Sequence, residues 1–534
     1  MENIYNIAKK IHIDDEFIIP YGLDKAKISL KINDSLSNKP DGKLVLVTAI
    51  TPTKAGEGKT TTSIALLDGL MRINRQALLC LREPSLGPVF GIKGGATGGG
   101  KASIIPSEDI NLHFTGDMHA LTSAINLISA IIDNHIFQGN ELRIDPNRIL
   151  WKRALDMNDR ALRSVTVNEN EKKSLPRHEE FVITVASELM AIFCLSSNED
   201  DFINRVNNIL VAFSLDGEPI YLKQLSISAA IFKLMKNALN PNLVQTLEGN
   251  PVLVHGGPFA NIAHGCNSLI ATKMALKLSP IVVTEAGFGA DLGAEKFFDI
   301  KCRSGNLKPN LVVMVATIRA LKMHGGVSLD ELNIENVDAL KEGCKNLKQH
   351  MENINKFNVP ALICINHFDS DTEKETETLK KWCLENNFKY AFCSSFKDGS
   401  NGGKELAELV AKTLDETTSN FKPLYDLNDE IEDNIEKIAR EIYRADGVIY
   451  TPTAKEQLEL FKSLGYKHLP ICIAKTPLSF TDNAKTLNAP RNFKITIREF
   501  RLSSGANFLV ALTGNILTMP GLPKVPSALN MKIE

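Results

Sequence analysis

Short apolar runs that alternate with helical patterns restrict the fold of this chain more than any other feature. The runs are rich in Val, Ile and Leu and are apolar along nearly their whole length. They cover residues 43–50, 77–83, 280–287, 311–317 and 359–366. Such strands are typical of parallel sheets with helices on both faces. The alternation therefore predicts an α/β fold with a doubly wound, mostly parallel sheet and additional smaller α/β domains.

The intervening stretches show helical periodicity. In residues 429–443 an apolar stripe is formed by Ile431, Ile435, Ile438 and Ile442. The 534 residues correspond to three or four domains of about 150 residues each. We expect a nucleotide-binding core domain, a second domain and a third α/β domain. The core takes residues 1–140 with about 280–350 and 495–534, the second about 141–279 and the third about 351–494. The polar segments 168–180 and 398–403 are predicted to be surface loops or insertion points.

Charge, cysteine content and hydropathy argue against several classes of protein. Lys and Arg number 61 and Asp and Glu 63, so the chain lacks the basic excess of a nucleic-acid binder. The nine cysteines form no CxxC pair, which speaks against a disulfide framework or a zinc site. The most apolar long stretch, 181–196, contains Glu188 and is shorter than the roughly twenty residues of a membrane span. With no signal peptide visible, we expect a cytoplasmic protein that binds no membrane.

The segment TPTKAGEGKTTT, residues 51–62, follows a predicted strand and precedes a helical pattern. This is the setting of a phosphate-binding loop, whose backbone N–H groups and helix N-terminus face the phosphates of ATP. Lys59 would reach the β- and γ-phosphates, and the Thr60 hydroxyl would ligate Mg²⁺. The common pattern has Gly where this chain has Thr53, so a plain strand-to-helix turn is the alternative. The predicted nucleotide-binding residues are Thr53, Lys54, Ala55, Gly56, Glu57, Gly58, Lys59 and Thr60.

Arg82 and Glu83 come at the end of another predicted strand, where ligands bind in open α/β sheets. If this strand neighbours the phosphate-loop strand, Arg82 lies beside the γ-phosphate. There it could hold an oxyanion acceptor and stabilise charge during phosphoryl transfer. A surface ion pair is the alternative. We predict Lys59, Arg82 and Glu83 as catalytic residues.

Two glycine-rich segments complete the set of candidates. GIKGGATGGGK, residues 91–101, permits close backbone approach to a ligand, although flexible linkers have similar composition. It runs into a segment that contains His113, Asp117 and His119. Residues 250–272 carry His255 and His264 but no charged side chain, as expected of a pocket wall. A metal site there would lack a third ligand at suitable spacing.

Several longer motifs identify a family resemblance. GIKGGATGGGK and VATIRALKMHGG (315–326) match the patterns GxKGGAAGGGY and VAT(I/V)R(A/S)LKxHGG. Further matches are REPSLGPVFGIKGG from Arg82, RALDMNDRALR from Arg153, ITVASELMA from Ile183, GFGADLGAEKFFDIKCR from Gly287 and TMPGLPKVP near the C-terminus. Together they resemble the monofunctional, bacterial type of formate–tetrahydrofolate ligase, also called formyltetrahydrofolate synthetase. The matches extend from Tyr21 to Pro526, so we expect no fused dehydrogenase or cyclohydrolase domain.

The resemblance implies the reaction of ATP, formate and tetrahydrofolate to ADP, phosphate and 10-formyltetrahydrofolate, with formyl phosphate as intermediate. It implies that Arg82 holds formate and then formyl phosphate, and that Phe288 and Phe396 stack on the pterin. Glu83, and His255 or His264, become candidates for proton handling or substrate orientation. The family also implies a homo-oligomer, commonly a tetramer, that monovalent cations stimulate.

The chain departs from the family pattern at Thr97, Lys101, Val182, Asp369 and Phe396, where Ala, an aromatic residue, an acid, Pro and Trp are usual. The last two concern the adenine and pterin region. Another phosphate-loop ligase or ATPase that acts on a different carboxylate is the alternative function. A non-catalytic nucleotide-binding protein is disfavoured because Lys59, Thr60 and Arg82 are all present.

Overall fold

The computed structural model describes residues 1–53, 56–169, 176–514 and 516–532. Its strands, in chain order, are β1 (Ile18–Pro20), β2 (Ala26–Ile28), β3 (Lys43–Ala49), β4 (Leu78–Leu81), β5 (Gly98–Gly99), β6 (Ala102–Ile105), β7 (Ile144–Ile149), β8 (Ala154–Leu155), β9 (Val165–Val167), β10 (Arg177–Glu179), β11 (Val182–Ile183), β12 (Leu210–Ser214), β13 (Pro219–Tyr221), β14 (Asn242–Thr246), β15 (Pro251–Val254), β16 (Ile281–Glu285), β17 (Pro309–Ala316), β18 (Ala361–Asn366), β19 (Tyr390–Cys393), β20 (Gly447–Tyr450), β21 (Ile471–Ala474), β22 (Lys494–Ile497), β23 (Glu499–Ser503) and β24 (Phe508–Leu512).

The α-helices are α1 (Ile4–Lys10), α2 (Ile32–Leu36), α3 (Lys59–Arg72), α4 (Leu86–Pro88), α5 (Ser107–Asn111), α6 (Asp117–Phe137), α7 (Glu188–Leu195), α8 (Glu199–Asn207), α9 (Ser228–Met235), α10 (Leu269–Leu278), α11 (Gly293–Lys296), α12 (Arg303–Gly305), α13 (Ile318–His324), α14 (Val337–Asn355), α15 (Glu373–Glu385), α16 (Ser395–Asp398), α17 (Ser400–Glu416), α18 (Ile431–Ile438) and α19 (Pro452–Ser463). Short 3₁₀ turns include Arg160–Arg163 and Ser527–Asn530, and π-helical turns include Val89–Lys93 and Phe297–Cys302.

A large, mostly parallel sheet occupies the centre of the fold. Its strand order is β1-β2-β14-β15-β4-β16-β3-β17-β18-β19; β6 also pairs with β14, and β5 pairs with β6. The strands from β15 to β19 in this order pair in parallel, whereas the β1, β2 and β14 end pairs antiparallel. All five apolar runs of the sequence form strands of the parallel part. The predicted α/β fold with a mostly parallel sheet is therefore confirmed, and small separate sheets lie outside it.

Residues of β3 alternate between two apolar cores. Leu44 and Leu46 belong to one buried cluster, and Val45, Val47 and Ala49 belong to another. Successive side chains of a strand point to opposite faces, so both faces of the sheet are covered. This double burial explains why the sequence shows a continuous apolar run and no alternation.

The sheet draws strands from all parts of the chain. β14 and β15 come from the segment assigned to a second domain, and β18 and β19 come from the segment assigned to a third. Residues 421–512 add smaller sheets, β20–β22 and β21–β24–β23. The proposed division into three domains stays a prediction.

Helices α3 and α17 cross at glycines, and this crossing involves a segment that the sequence predicts to be a surface loop. Residues 398–403 do not form a loop, because α17 begins at Ser400. A Cβ at Gly403 would lie 2.4 Å from the Ala65 carbonyl oxygen, and one at Gly69 would lie 2.9 Å from the Gly403 carbonyl oxygen. The glycines let α17 pack tightly on α3, a tertiary requirement that outweighs their low helix propensity.

One described helix, α6, has the length and apolar composition of a membrane span, a test that core helices also pass. The apolar stretch 181–196, which the sequence analysis judged too short for a membrane span, contains α7, and α7 is almost entirely buried. Helix α6 packs against α9 and α7.

Glu188 connects the start of α7 to the β23–β24 hairpin. Its Oε1 atom accepts hydrogen bonds from the Gly505 backbone N–H at 2.7 Å and the Ala506 N–H at 3.4 Å. Burial raises the pKa of Glu188 to about 7, although the two N–H donors favour the charged form. The folded protein therefore holds a proton there that the unfolded chain releases near its ordinary pKa.

We expect Glu188→Gln to flatten the pH dependence of stability. Because the folded-state pKa is raised, the wild type loses stability as pH rises from about 4.5 to about 7, by an amount on the order of 3 kcal/mol. Gln keeps the accepting oxygen and removes the proton. The melting temperature of the variant, relative to that of the wild type, should be higher at pH 8 but not at pH 5. An equal difference in melting temperature between variant and wild type at both pH values would contradict this prediction. Glu16→Gln, at an exposed site, is the control.

Candidate active site

The turn between β3 and α3 is fixed by side chains from neighbouring strands. The Glu57 carboxylate accepts hydrogen bonds from the Thr53 backbone N–H at 2.7 Å and from the Thr317 hydroxyl. Asn366 Nδ2 donates to the Glu57 carbonyl oxygen at 3.0 Å. Gly58 has φ +74°, and a Cβ there would lie 2.6 Å from Asn366 Nδ2. The turn thus brings the N-terminus of α3, with its unpaired N–H groups, to the carboxyl edge of the sheet, where an anion binds well.

Lys59 and Thr60 are the first two residues of α3. The Thr60 hydroxyl donates to Glu285 at 3.0 Å from Oε2 and 3.2 Å from Oε1. Glu285 ends β16, the strand beside β3. A hydroxyl and a carboxylate therefore meet at the start of the helix. Sequence reasoning missed Glu285, although its place at the end of an apolar run was a signal.

Arg82 lies one strand farther away than expected. Its strand β4 does not neighbour β3, because β16 lies between them. Two strand spacings separate β3 and β4 by about 10 Å. The side chain of Arg82 spans part of this gap, since it lies close enough to Lys59 to lower the pKa of the lysine.

The guanidinium of Arg82 is held by a close backbone approach. Its Nη1 donates to the Pro258 carbonyl oxygen at a long 3.5 Å, and its buried Nε has no hydrogen-bond partner among the described residues. A Cβ at Gly287 would lie 2.6 Å from the Ala260 Cβ and 2.9 Å from Arg82 Nη1. Arg82 is therefore packed in place with donor capacity left for a ligand.

Three cations gather at this edge. Burial lowers the pKa of Lys59 to about 8, with Glu285 opposing the shift and Arg82 adding to it. Lys93 is exposed as a residue, but desolvation of its ammonium and the repulsion of Arg82 and Lys59 lower its pKa to about 8. Such a cluster is stabilised by a bound anion. The two lysines of the glycine-rich segment speak against a flexible linker in the sequence, but Lys93 is not among the predicted site residues.

Glu83 points away from the phosphate turn into a buried cluster with Asp117 and Lys27. The Lys27 ammonium lies 2.8 Å from Asp117 Oδ1, and Asn242 Nδ2 donates to Asp117 Oδ2 at 2.8 Å. Burial and the charge of Asp117 raise the pKa of Glu83, whose Oε2 has no partner among the described residues. His113 and His119 are exposed nearby in sequence, and only Asp117 of that segment joins the cluster.

The structure distinguishes the two candidate histidines. His255 pairs through Nδ1 with the Ser268 hydroxyl at 2.6 Å and through Nε2 with the Ala238 carbonyl oxygen at 2.7 Å. His264 is fully buried, and neither ring nitrogen has a partner within the described ranges. Burial and the surrounding cations, among them Lys301 and Arg82, hold its pKa well below the ordinary value. His255 is therefore occupied by structural bonds, whereas the nitrogens of His264 are not.

Phe396 rests on the glycine-rich segment. A Cβ at Gly99 would lie 3.0 Å from Phe396 Cε2, and the Lys101 backbone N–H donates to the Phe396 carbonyl oxygen at 3.0 Å. The residue is 58% exposed, so one part of the ring packs on Gly99 and much of the rest faces solvent. The close approach explains why glycine occurs at this position.

Phe288 lies elsewhere on the sheet edge. It follows β16, is half-buried and has φ +58°, an uncommon conformation for a non-glycine residue. In the strand order β16 is four positions from β19, the strand that precedes Phe396. Within the described residues no ring contact joins the two phenylalanines. Their joint grip on one pterin ring stays a prediction.

A third aromatic residue, Phe368, lies between these positions. It follows β18, and the Arg319 guanidinium stacks 3.7 Å from its ring centroid. The neighbouring Asp369 forms an ion pair with Lys397 at 3.2 Å, which joins the Phe368 loop to the Phe396 helix. Sequence reasoning noted the Asp369 departure but did not select Phe368. Lys54 and Ala55 lie outside the described residues.

No group of three or more His, Cys, Asp or Glu residues suited to a metal ion occurs within residues 1–53, 56–169, 176–514 and 516–532. All nine cysteines fall in this part of the chain, where they are buried and unpaired.

Comparison with known protein families gives a match over residues 1–534 to the model described as formate–tetrahydrofolate ligase. The matched range includes every residue of the site described above.

Proposed function

Because the chain belongs to the formate–tetrahydrofolate ligase family, and is thus an ATP-dependent ligase, we propose that it forms 10-formyltetrahydrofolate through formyl phosphate. The observation that carries this proposal is the convergence of Lys59, Arg82 and Lys93 at the N-terminus of α3. The cluster suits two anions at once, the γ-phosphate of ATP and a carboxylate. Residues 53–60 would hold the ATP phosphates.

The chemistry requires activation of formate. A formate oxygen attacks the γ-phosphorus, the bond to the β-phosphate oxygen breaks, and ADP leaves. The N10 amine of tetrahydrofolate then attacks the formyl carbon, inorganic phosphate leaves, and N10 releases its proton. Charge builds on the transferred phosphoryl oxygens in the first step, where fixed cations stabilise it. Arg82, with unused donors, would hold the formate and then the acyl phosphate in a bidentate arrangement.

The residues present also fit Mg²⁺. The Thr60 hydroxyl and the Glu285 carboxylate supply hard oxygen ligands, which this ion prefers together with phosphate oxygens. Bound there, the ion would neutralise phosphate charge. Of the two buried carboxylates, Asp117 is already paired with the Lys27 ammonium, whereas Glu83 Oε2 has no hydrogen-bond partner among the described residues and is the oxygen that would face a monovalent cation.

For proton handling, His264 is the better candidate of the two histidines because neither of its ring nitrogens has a hydrogen-bond partner among the described residues. Its depressed pKa keeps the ring neutral, so it would orient the substrate or accept a proton only transiently. The family resemblance further supports a cytoplasmic homotetramer. Light scattering of the purified protein tests the oligomeric state.

The function is tested by omitting substrates. 10-Formyltetrahydrofolate should form only when ATP, formate and tetrahydrofolate are all present. Without folate, hydroxylamine should trap formohydroxamate in an ATP- and formate-dependent manner. Formation of 10-formyltetrahydrofolate without trapped formohydroxamate would contradict the formyl phosphate intermediate. Absence of 10-formyltetrahydrofolate would contradict the proposed function.

We expect Phe396→Ala to raise the KM for tetrahydrofolate severalfold and to leave the KM for ATP nearly unchanged. The exposed ring would lose offset stacking with the pterin, worth about 0.5–1.5 kcal/mol beyond area burial. Phe396→Trp should retain or tighten folate binding because it offers a larger ring. A sharp fall in melting temperature with unaltered KM would show instead that Phe396 only packs on Gly99.

A further inference from the structure

A cavity lies between residues 158–160 and residues 522–524. It measures about 590 Å³ and is lined by Asn158, Asp159, Arg160, Leu522, Pro523 and Lys524. Its two walls are the motifs MNDRALR and MPGLPK, to which no role has been given above. The volume is within the range of small-molecule sites.

The cavity walls are joined by arginines. Arg160 Nη2 donates to the Leu522 carbonyl oxygen, and Arg163 Nε donates to the Met519 carbonyl oxygen at 2.8 Å. One recorded bond leaves most of the five N–H donors of Arg160 available. The C-terminal segment is thus anchored where a cationic side chain borders the cavity.

The charges of the lining favour an anion. Arg160 and Lys524 are exposed, and within the described residues no carboxylate forms an ion pair with Lys524. The single acid, Asp159, uses Oδ1 to accept the Ala161 N–H at 3.0 Å.

The segment that follows Arg82 connects this cavity to the folate region. Cβ atoms at Gly87 and Gly91 would lie 2.4 Å and 2.8 Å from the Asn158 carboxamide. Farther along, Lys93 reaches the Arg82 and Lys59 cations, and Gly99 supports Phe396. A ligand laid along residues 87–100 would therefore pass from an aromatic wall, past the reaction centre, to the cationic cavity.

Tetrahydrofolate has this order of parts. Its pterin ring is followed by N10, then by the benzoyl ring and a glutamyl end with carboxylates. Building on the proposed function, we propose that the cavity between residues 158–160 and 522–524 binds the glutamyl carboxylates, with Arg160 and Lys524 as the recognising cations. ATP is not the occupant, because its phosphates have their own site at α3. The open side toward solvent accommodates further γ-linked glutamyl units.

The test compares tetrahydropteroate, which lacks the glutamyl group, with tetrahydrofolate carrying one and three glutamates. In the full-length enzyme, Lys524→Gln should raise the KM for the triglutamate about fivefold, the effect of one exposed charge pair of about 1 kcal/mol. The KM for tetrahydropteroate, the KM for ATP and kcat should stay unchanged. Salt of about 1 M should reduce the difference by screening.

Arg160→Lys, which keeps the charge, should retain most of the preference for the glutamylated substrates, whereas Arg160→Gln should lose it. Lys381→Gln, at an exposed position on α15, is the matched control. If the Lys524 and Arg160 substitutions change the KM equally for all three folates, or leave the KM for the triglutamate unchanged, the proposed glutamyl site is wrong. Neither result would contradict the ligase function. Absence of product with every folate in the wild type would overturn the proposed function and this site with it.

Discussion

Lys59→Ala is expected to lower turnover by about a hundredfold or more, the usual cost of removing a fixed charge that stabilises a transition state. The ammonium belongs to the first residue of α3, where the proposed phosphoryl transfer would require compensation of the γ-phosphate charge. The fold should survive, because burial disfavours this ammonium and its removal relieves that cost.

Steady-state rates with saturating ATP, formate and folate measure the effect, and the melting temperature reports on the fold. Lys412→Ala, on the exposed side of α17, is the control and should be silent. A Lys59→Ala enzyme that keeps more than a tenth of the wild-type kcat would refute the phosphate-loop assignment.

Arg82→Ala should remove formate-dependent turnover by a similar factor, roughly a hundredfold, while nucleotide affinity changes little. Arg82 lies two strands from β3, so in the proposed mechanism it would reach the reacting carboxylate and the γ-phosphate but not the rest of ATP. Arg82→Lys should restore part of the rate at best, because an ammonium cannot bind two oxygens in the planar, bidentate manner of guanidinium.

ATP titration and hydroxamate trapping distinguish the two roles of Arg82. Normal ATP binding with loss of trapped formohydroxamate supports the assignment. Equal losses in ATP affinity and in turnover would mean that Arg82 only braces the nucleotide.

The sequence was most informative where one local rule dominates. Five apolar runs predicted five parallel strands because burial on both faces leaves a continuous pattern. The turn before Lys59 could be predicted because a strand-to-helix turn of this kind needs glycines and a following helix at adjacent positions in the chain. Both features depend on neighbours in the chain.

Features that depend on distant contacts were missed. No local pattern shows that β16 separates β3 from β4, so the sequence left open whether the Arg82 strand neighbours β3, and it does not. Glu285 and Lys93 gain their importance only from strand order and the path of a loop. Gly403 reads as a loop residue until the backbone of α3 is placed against it.

The strand order also determines how much of the chain must be synthesised before the candidate site can form. The turn after β3 leads into α3 at Lys59, but β3 lies between β16 and β17, which end at Glu285 and Ala316. At roughly 5–20 residues per second, synthesis from the turn to these strands takes on the order of ten seconds to a minute. During this time β3 has emerged without partners, an apolar strand with both edges unpaired. A nucleotide bound at this turn, as proposed above, would therefore not help the early chain to fold. Because the pairing is long-range, we expect sheet assembly to be slow and to expose the chain to aggregation.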